Sequence, residues 1–328
     1  GLVTAAVLNQ EYQVIGVTSA NVYSITAKDT DGVTVTANSS DSGNGGSGVD
    51  GSYQINVGLD TEVGGTGWGA GTWGRSTWGS AADITATTSL RLWSHDNFGE
   101  DLLINPRDGA VYYWDASVSN AFTTRAVDLV DISGASDVPT IAKQIMVSDN
   151  SRHVIAFGTN TINTAVQDSL LIRFSDQESF LDWTPKATNS AGDLRIGSGS
   201  NFVRAIETKR EILIWTNSSL QTMQYLGPPF VFGIQPLASN ITIMGANAIV
   251  AVEDSVFWMG KDCFYMYNGQ TKQLPCTVKE EVFFNFNSGQ EEKVYAGINS
   301  EFSEVTWFYC SDDNSTANGG DGQNNKYV

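Results

Sequence analysis

One unit recurs along this chain from Ser89 onward: an apolar strand, a short polar turn, then a second strand that is often aromatic. The clearest copy is Asp101-Leu102-Leu103-Ile104-Asn105, the turn Pro106-Arg107-Asp108-Gly109, and Ala110-Val111-Tyr112-Tyr113-Trp114. His153–Gly158 pairs with Ser169–Phe174, Glu211–Trp215 with Leu220–Tyr225, and Ser255–Met259 with Cys263–Tyr267; Glu304–Tyr309 opens one more. With Leu102, Val154, Ile212, Val256 and Val305 taken as equivalent, the spacings are 52, 58, 44 and 49 residues. Antiparallel hairpins at such intervals are the period of β-propeller blades. A β-sandwich is the alternative architecture. Five units on about 240 residues nearly close a ring.

Composition agrees with an all-β chain. Hydrophobic residues make up 41% of the 328 residues and charged ones only 16%, with abundant Gly, Thr, Ser, Asn and Val. No apolar run approaches the ~20 residues that span a bilayer as a helix. Gly1-Leu2-Val3-Thr4 has no basic region typical of a signal peptide. The absence of an initiator methionine, and an end at Asn324-Asn325-Lys326-Tyr327-Val328 that reads as the start of a strand, lead us to expect an excerpt of a longer chain. One helix is expected: Thr277 and Glu280 stand at capping-box spacing, and Val278, Val282 and Phe286 fall near one face.

Before the recurring unit, Gln13–Thr18, Val22–Thr26, Val33–Ala37 and Tyr53–Gly58 read as short strands around a Ser/Gly/Asn/Asp loop from Asn38 to Gly51. Residues 1–70 hold seven acids and a single lysine, Lys28. We therefore expect a small acidic β-domain over 1–66 and a propeller over 67–328, its C-terminal blade incomplete. The propeller begins with Gly67-Trp68-Gly69-Ala70-Gly71-Thr72-Trp73-Gly74-Arg75-Ser76-Thr77-Trp78-Gly79, where three indoles recur every five residues, each followed by glycine. Glycine allows tight turns and the indoles demand burial, so Trp68, Trp73 and Trp78, with Trp93 and Trp114, are candidate packing or interface residues.

The residues offer no convincing active site, and neither a metal nor a cofactor is expected. His95 and His153 are the only histidines, and neither sits in a nucleophile or metal motif. His153 reads as a strand-end residue. His95, in Ser94-His95-Asp96-Asn97-Phe98-Gly99-Glu100-Asp101, reads as part of a solvated loop. Ser175–Thr184 is loosely like the Asp-box turn of sialidase propellers, but Gln177 replaces the acid, Ser179 the glycine, and Trp183 comes one place late. Asp312-Asp313-Asn314 with Gly319–Gly322 lacks EF-hand ligand spacing and reads as a hairpin tip. Cys263, Cys276 and Cys310 form no zinc pattern and are expected as reduced thiols. The formal net charge of −18 argues against tight nucleic-acid binding, which needs Lys and Arg against phosphates. It suits either solubility or a conduit wall that must not grip DNA.

Several segments resemble tail proteins of tailed bacteriophages: Trp68-Gly69 through Trp78-Gly79, Leu92-Trp93-Ser94 to Gly99–Leu103, Tyr112-Tyr113-Trp114-Asp115, Phe174–Glu178 with Trp183-Thr184-Pro185, Gly192-Asp193-Leu194-Arg195, and Phe257–Gly260 with Leu274–Val278. Within that group the chain is similar to the tail nozzle (tail tubular B, or tail-stabilisation) proteins of short-tailed phages. The resemblance implies a propeller-based, non-enzymatic virion protein assembled in the host cytoplasm. It implies six copies in a ring that extends the portal and adaptor, retains packaged DNA and conducts it during ejection. The implied partners are the adaptor (head-to-tail connector), tail fibre or needle proteins, DNA in transit without sequence recognition, and indirectly the host envelope. The other functional reading open at this stage is a carbohydrate-binding or glycan-degrading propeller in host recognition.

Overall fold

The structure is a computed structural model that describes residues 124–328 and 92–119 continuously, residue 121, and, toward the N-terminus, 3–4, 7, 12, 14–19, 22–28, 33–36, 61–62, 87–88 and 90. The Trp-Gly run and the Tyr53–Gly58 strand lie outside the described residues. The chain divides into two compact units, Gly1–Ile55 and Asn56–Val328, a boundary earlier than the 66/67 read from the sequence.

In the first unit, β1 (Val14–Ser19) and β2 (Val22–Ile25) pair antiparallel, with Val17 opposite Tyr23. Of the strand expected over Val33–Ala37, the described residues keep a single bridge, Thr34 to Lys28.

The second unit is a five-bladed β-propeller of small antiparallel sheets. It opens with a two-residue pair, β3 (Thr61–Glu62) and β4 (Thr87–Thr88). The first blade holds β5 (Trp93–Phe98), β6 (Asp101–Pro106), β7 (Tyr112–Trp114) and β8 (Val127–Asp128). The second holds β9 (Gln144–Val147), β10 (Val154–Phe157), β11 (Leu171–Phe174) and β12 (Gly192–Arg195). The third holds β13 (Phe202–Glu207), β14 (Ile212–Thr216), β15 (Ser219–Gly227) and β16 (Val231–Ser239). The fourth holds β17 (Ile249–Val252), β18 (Ser255–Met259), β19 (Phe264–Tyr267) and β20 (Thr271–Leu274). The fifth has three strands, β21 (Tyr295–Asn299), β22 (Glu304–Tyr309) and β23 (Lys326–Tyr327). Within each sheet the strands pair in chain order.

The burial pattern explains why the hairpins were visible in the sequence. In the second and third blades the second strand is covered on both faces, so β10 reads Val-Ile-Ala-Phe and β14 Ile-Leu-Ile-Trp-Thr, buried throughout. The outer strand β12 alternates half-buried and exposed residues instead. Turns follow their chemistry: Phe98 pairs with Asp101 around a two-residue loop, and Gly99 takes φ +75° there, which a side chain would resist.

Each junction between blades is clipped by specific bonds. Ser94 Oγ and Asp96 Oδ2 on β5 accept the N–H groups of Ile145 (3.0 Å) and Val147 (2.8 Å) on β9. The Gln144 amide on β9 donates to the Ala205 carbonyl (2.8 Å) and accepts its N–H (2.9 Å). The Tyr267 hydroxyl of the fourth blade donates to Glu211 of the third. Ala296 N–H donates to Asn247 O (2.8 Å), and the Trp307 indole to Ala248 O (3.0 Å). The ring closes through Glu292, just before β21, which accepts from Arg107 (3.0 Å) and from Leu90 N–H (3.2 Å) of the first-blade region. Apolar cores fill the junctions of blades one and two, two and three, and three to five.

The helix is shorter than its sequence signature. α1 spans Lys279–Phe284, with Val278 at the cap position and no side-chain cap bond, so the Thr277 capping box does not form. Val282 is buried against the fourth- and fifth-blade core, while Phe284 is exposed. Four residues beyond Phe284 a separate 3-10 segment, Ser288–Lys293, begins.

Candidate functional site

The second blade assembles a polar cluster that no linear motif announced. β10 begins one residue after His153, which is fully buried and surrounded by the rings of Phe232 (5.2 Å), Tyr225 (5.8 Å) and Phe174 (6.2 Å). β11 ends at Phe174 and runs into the turn Ser175–Ser179. Asp176 N–H donates to Asp182 O there (2.7 Å), and Glu178 adopts φ +57°. Trp183 beyond the turn is buried in the core between the first two blades and donates to Phe180 O (2.9 Å). The Asp-box-like stretch is thus a folded turn anchored by its tryptophan.

Ser190 joins these pieces. Its Oγ lies 2.9 Å from His153 Nε2 and 2.7 Å from Asp176 Oδ1, and it accepts the Gln177 N–H at 2.9 Å. Ser190 N–H also donates to Asp176 Oδ1 (2.8 Å). Proton counting decides the roles. A hydroxyl has one proton, and a carboxylate has only lone pairs to offer. Ser190 therefore donates to Asp176, and His153 Nε2–H donates to Ser190. Both Oγ lone pairs are then occupied, so the hydroxyl has none free for nucleophilic attack, and the charged partner sits on the serine rather than behind the histidine. Burial opposes the charge on Asp176, but the donors from Ser190 and Gln177 outweigh it and hold its carboxyl below the usual range.

Burial pushes the His153 pKa down, against the pull of Asp176. The folded state therefore keeps His153 neutral at a pH where the unfolded chain, titrating near ~6.5, takes up a proton. The protein is expected to lose stability as pH falls below ~6.5, with a slope of at most ~1.4 kcal/mol per pH unit from this one proton. Chemical denaturation at pH 7.5 and pH 5.5 tests this. H153Q should lose less between the two conditions than the native protein; an equal loss would assign the dependence to other groups.

Outward of the cluster opens a cleft of about 880 Å³, lined by Asp176, Gln177, Glu178, Lys186, Asn189 and Ser190 on one side and Pro228, Pro229 and Val231 on the other. No aromatic ring is among its lining residues.

The stretch around His95, read from the sequence as a solvated loop, is instead β5, the strand nearest the axis in the first blade. The segment is a strand because alternate side chains, Ser94 and Asp96, bind the neighbouring blade, while His95 and Asn97 between them face solvent. Of the carboxylates near His95, Asp96 holds Val147 N–H, and Asp101 accepts from Tyr113 Oη (2.6 Å) and Ala116 N–H (2.9 Å). Trp93 is 40% exposed and lines a small axial pocket; Trp114 is half-buried and donates to the carbonyls of Ala121 and Thr124 (both 3.1 Å). Trp68, Trp73 and Trp78 lie outside the described residues. In the Asp312–Gly322 loop, Asp321 accepts from Asn314 (2.7 Å) and Gln323 N–H (2.9 Å). Among the described residues no three His, Cys, Asp or Glu side chains gather as a metal site, Cys263, Cys276 and Cys310 are free, and no helix is long and apolar enough to cross a membrane. Ser190 and Gln144 escaped the sequence reading, and the only signal for Gln144 was a polar residue opening an apolar run.

No family model matches the chain, and no curated protein does. Among solved structures it is similar to Hsv2 from Kluyvelomyces marxianus (6% identity, TM-score 0.36, covering 68% of this chain and 58% of that one). It is also similar to the extracellular domain of the putative one-component system BT4673 from B. thetaiotaomicron (12%, 0.39, 70% and 27%). A third is the SapL1 lectin in complex with alpha methyl fucoside (10%, 0.37, 68% and 74%). The chain thus spans little more than half of the first and about a quarter of the second.

Proposed function

We propose that this chain is a structural, non-catalytic subunit of a short-tailed phage tail, one of six copies forming a nozzle ring. The observation that carries the reading is the set of phage-tail-like segments and where they fall. They coincide with β5, the β5–β6 turn, β7, the end of β11 and its turn, β12, β18 and the end of β20, elements of three of the five blades, the first, second and fourth. The propeller itself is what that resemblance implies.

Mechanics support the reading. A cyclic head-to-tail ring needs a stiff subunit with two complementary faces. Bonded clips at every blade junction resist shear between blades. The net charge of −18 weakens adhesion to DNA within a screening length of ~8 Å of the wall. In this reading the ring sits in the virion tail between the adaptor and the fibre or needle proteins, and DNA passes without sequence recognition.

Electron microscopy of purified virions labelled with an antibody to this chain tests the proposal. A six-fold ring in the tail is the expected result; absence from the particle would end it. The glycan-binding alternative makes the opposite forecast, a specific binder on a glycan array.

A further inference from the structure

The third blade carries an arm that the other blades lack. β15 and β16 have 9 residues each and are the longest strands among the described residues. Burial along β15 stops at Met223. Beyond it Phe232 still holds the hairpin to the core shared with the second blade, but the tip reaches into solvent. Leu226 is exposed there, and Phe230, beside Pro228 and Pro229, is 76% exposed. Residues 212–252 contain no Asp, Glu, Lys, Arg or His, and no other uncharged stretch of the chain is half as long. A chain of net charge −18 thus presents one long uncharged projection with an apolar end.

A second exposed surface of the same character lies on the fifth blade. Tyr295 on β21 pairs with Phe308 on β22, and Phe308 pairs with Tyr327 on β23. Side chains at paired positions share a face, so the three rings form one row across the sheet. All three are exposed, Tyr327 at 75%, and none belongs to the three apolar cores. The opposite face of these strands, with Ala296, Trp307 and Tyr309, is buried in the core shared with the fourth blade. Gly297, two residues after Tyr295, lies on the face of the row. A Cβ there would stand 3.9 Å from both the Tyr295 and the Phe308 rings, so its absence leaves a notch between them. The third and fifth blades are two steps apart around the propeller, so arm and row occupy different sides of the molecule. A head-to-tail contact between copies uses two different surfaces of each chain and covers both at once. Chains of like charge repel, and neither the arm nor the row adds a charge to such a contact. A second copy of this chain therefore fits both surfaces.

We propose that the β15–β16 arm docks on the Tyr295–Phe308–Tyr327 row of a second copy, with Phe230 entering the notch over Gly297. The contact rests on the ring reading above and is the one that joins its subunits. Sedimentation equilibrium of the full chain tests it, with circular dichroism checking that each variant folds. Phe230 and Tyr327 are both exposed, so substituting them opens no cavity. The native chain is expected to associate as its concentration rises, and F230D and Y327D each to stay monomeric over the same range. An equimolar mixture of the two variants should form a dimer and nothing larger. The intact arm of Y327D then meets the intact row of F230D, and the next link is broken. A native chain that stays monomeric at millimolar concentration, or either variant associating like the native chain, would overturn the contact. A mixture that stays monomeric would overturn its head-to-tail form. Each of these failures leaves the ring reading standing, because failure of that reading shows instead as absence from the labelled virion.

Discussion

W258A is expected to lower the stability of the propeller by ~3–5 kcal/mol, the range for deleting a fully buried indole. Trp258 is completely buried on β18. Its ring meets Trp215 of the third blade edge-on at 5.2 Å and stacks on Tyr265 of its own blade at 5.3 Å. Its N–H donates to the Thr242 carbonyl at 3.2 Å, in the segment joining the two blades. Truncation opens a cavity at a junction that cannot collapse easily, because the blades on both sides are tied to their other neighbours. Urea unfolding followed by circular dichroism measures the effect. A loss under ~1 kcal/mol would mean that the third and fourth blades do not share a core at this point.

Q144L is expected to be nearly as damaging, by a different route. Gln144 and Ala205 are both almost fully buried. The first strands of the second and third blades are not paired with each other as a sheet. The Gln144 amide takes the place of a paired strand and satisfies both backbone groups of Ala205 at once. Leucine fills similar space but leaves an N–H and a C=O buried and open, at ~1–3 kcal/mol for each. Amide hydrogen exchange gives a local readout: the Ala205 amide should lose protection in Q144L far more than amides of the fifth blade. Unchanged exchange at Ala205 would refute the clip.

The hairpins that could be read from the sequence are the middle strands of the blades. Leu102, Val154, Ile212, Val256 and Val305 all fall on second strands, β6, β10, β14, β18 and β22. Two of those strands, β10 and β14, are covered on both faces and so are almost wholly apolar, and a run such as Val-Ile-Ala-Phe cannot be mistaken for a loop. First strands are harder to read. β5 is Trp-Ser-His-Asp-Asn-Phe: Ser94 and Asp96 bind the backbone of the next blade, and His95 and Asn97 between them are exposed. The outer strand β12, Gly-Asp-Leu-Arg, faces water on alternate residues. The helix start was misread because Thr277 and Glu280 have capping-box spacing, but the first helical turn begins after Val278.

Periodic burial is a local property, and the chain by itself determined it: five recurring two-sided hairpins, low charge and turn residues at the right offsets specify an all-β, bladed architecture. Which polar residues meet was decided only by the tertiary structure, through strand pairing within blades and contact between them. His153, Asp176 and Ser190 are separated by up to 37 positions and come together through the geometry of the second blade. Tyr295, Phe308 and Tyr327 form a row because strand pairing in the fifth blade sets their register. Such contacts depend on sheet pairing and blade rotation, and neither leaves a periodic trace in the order of residues.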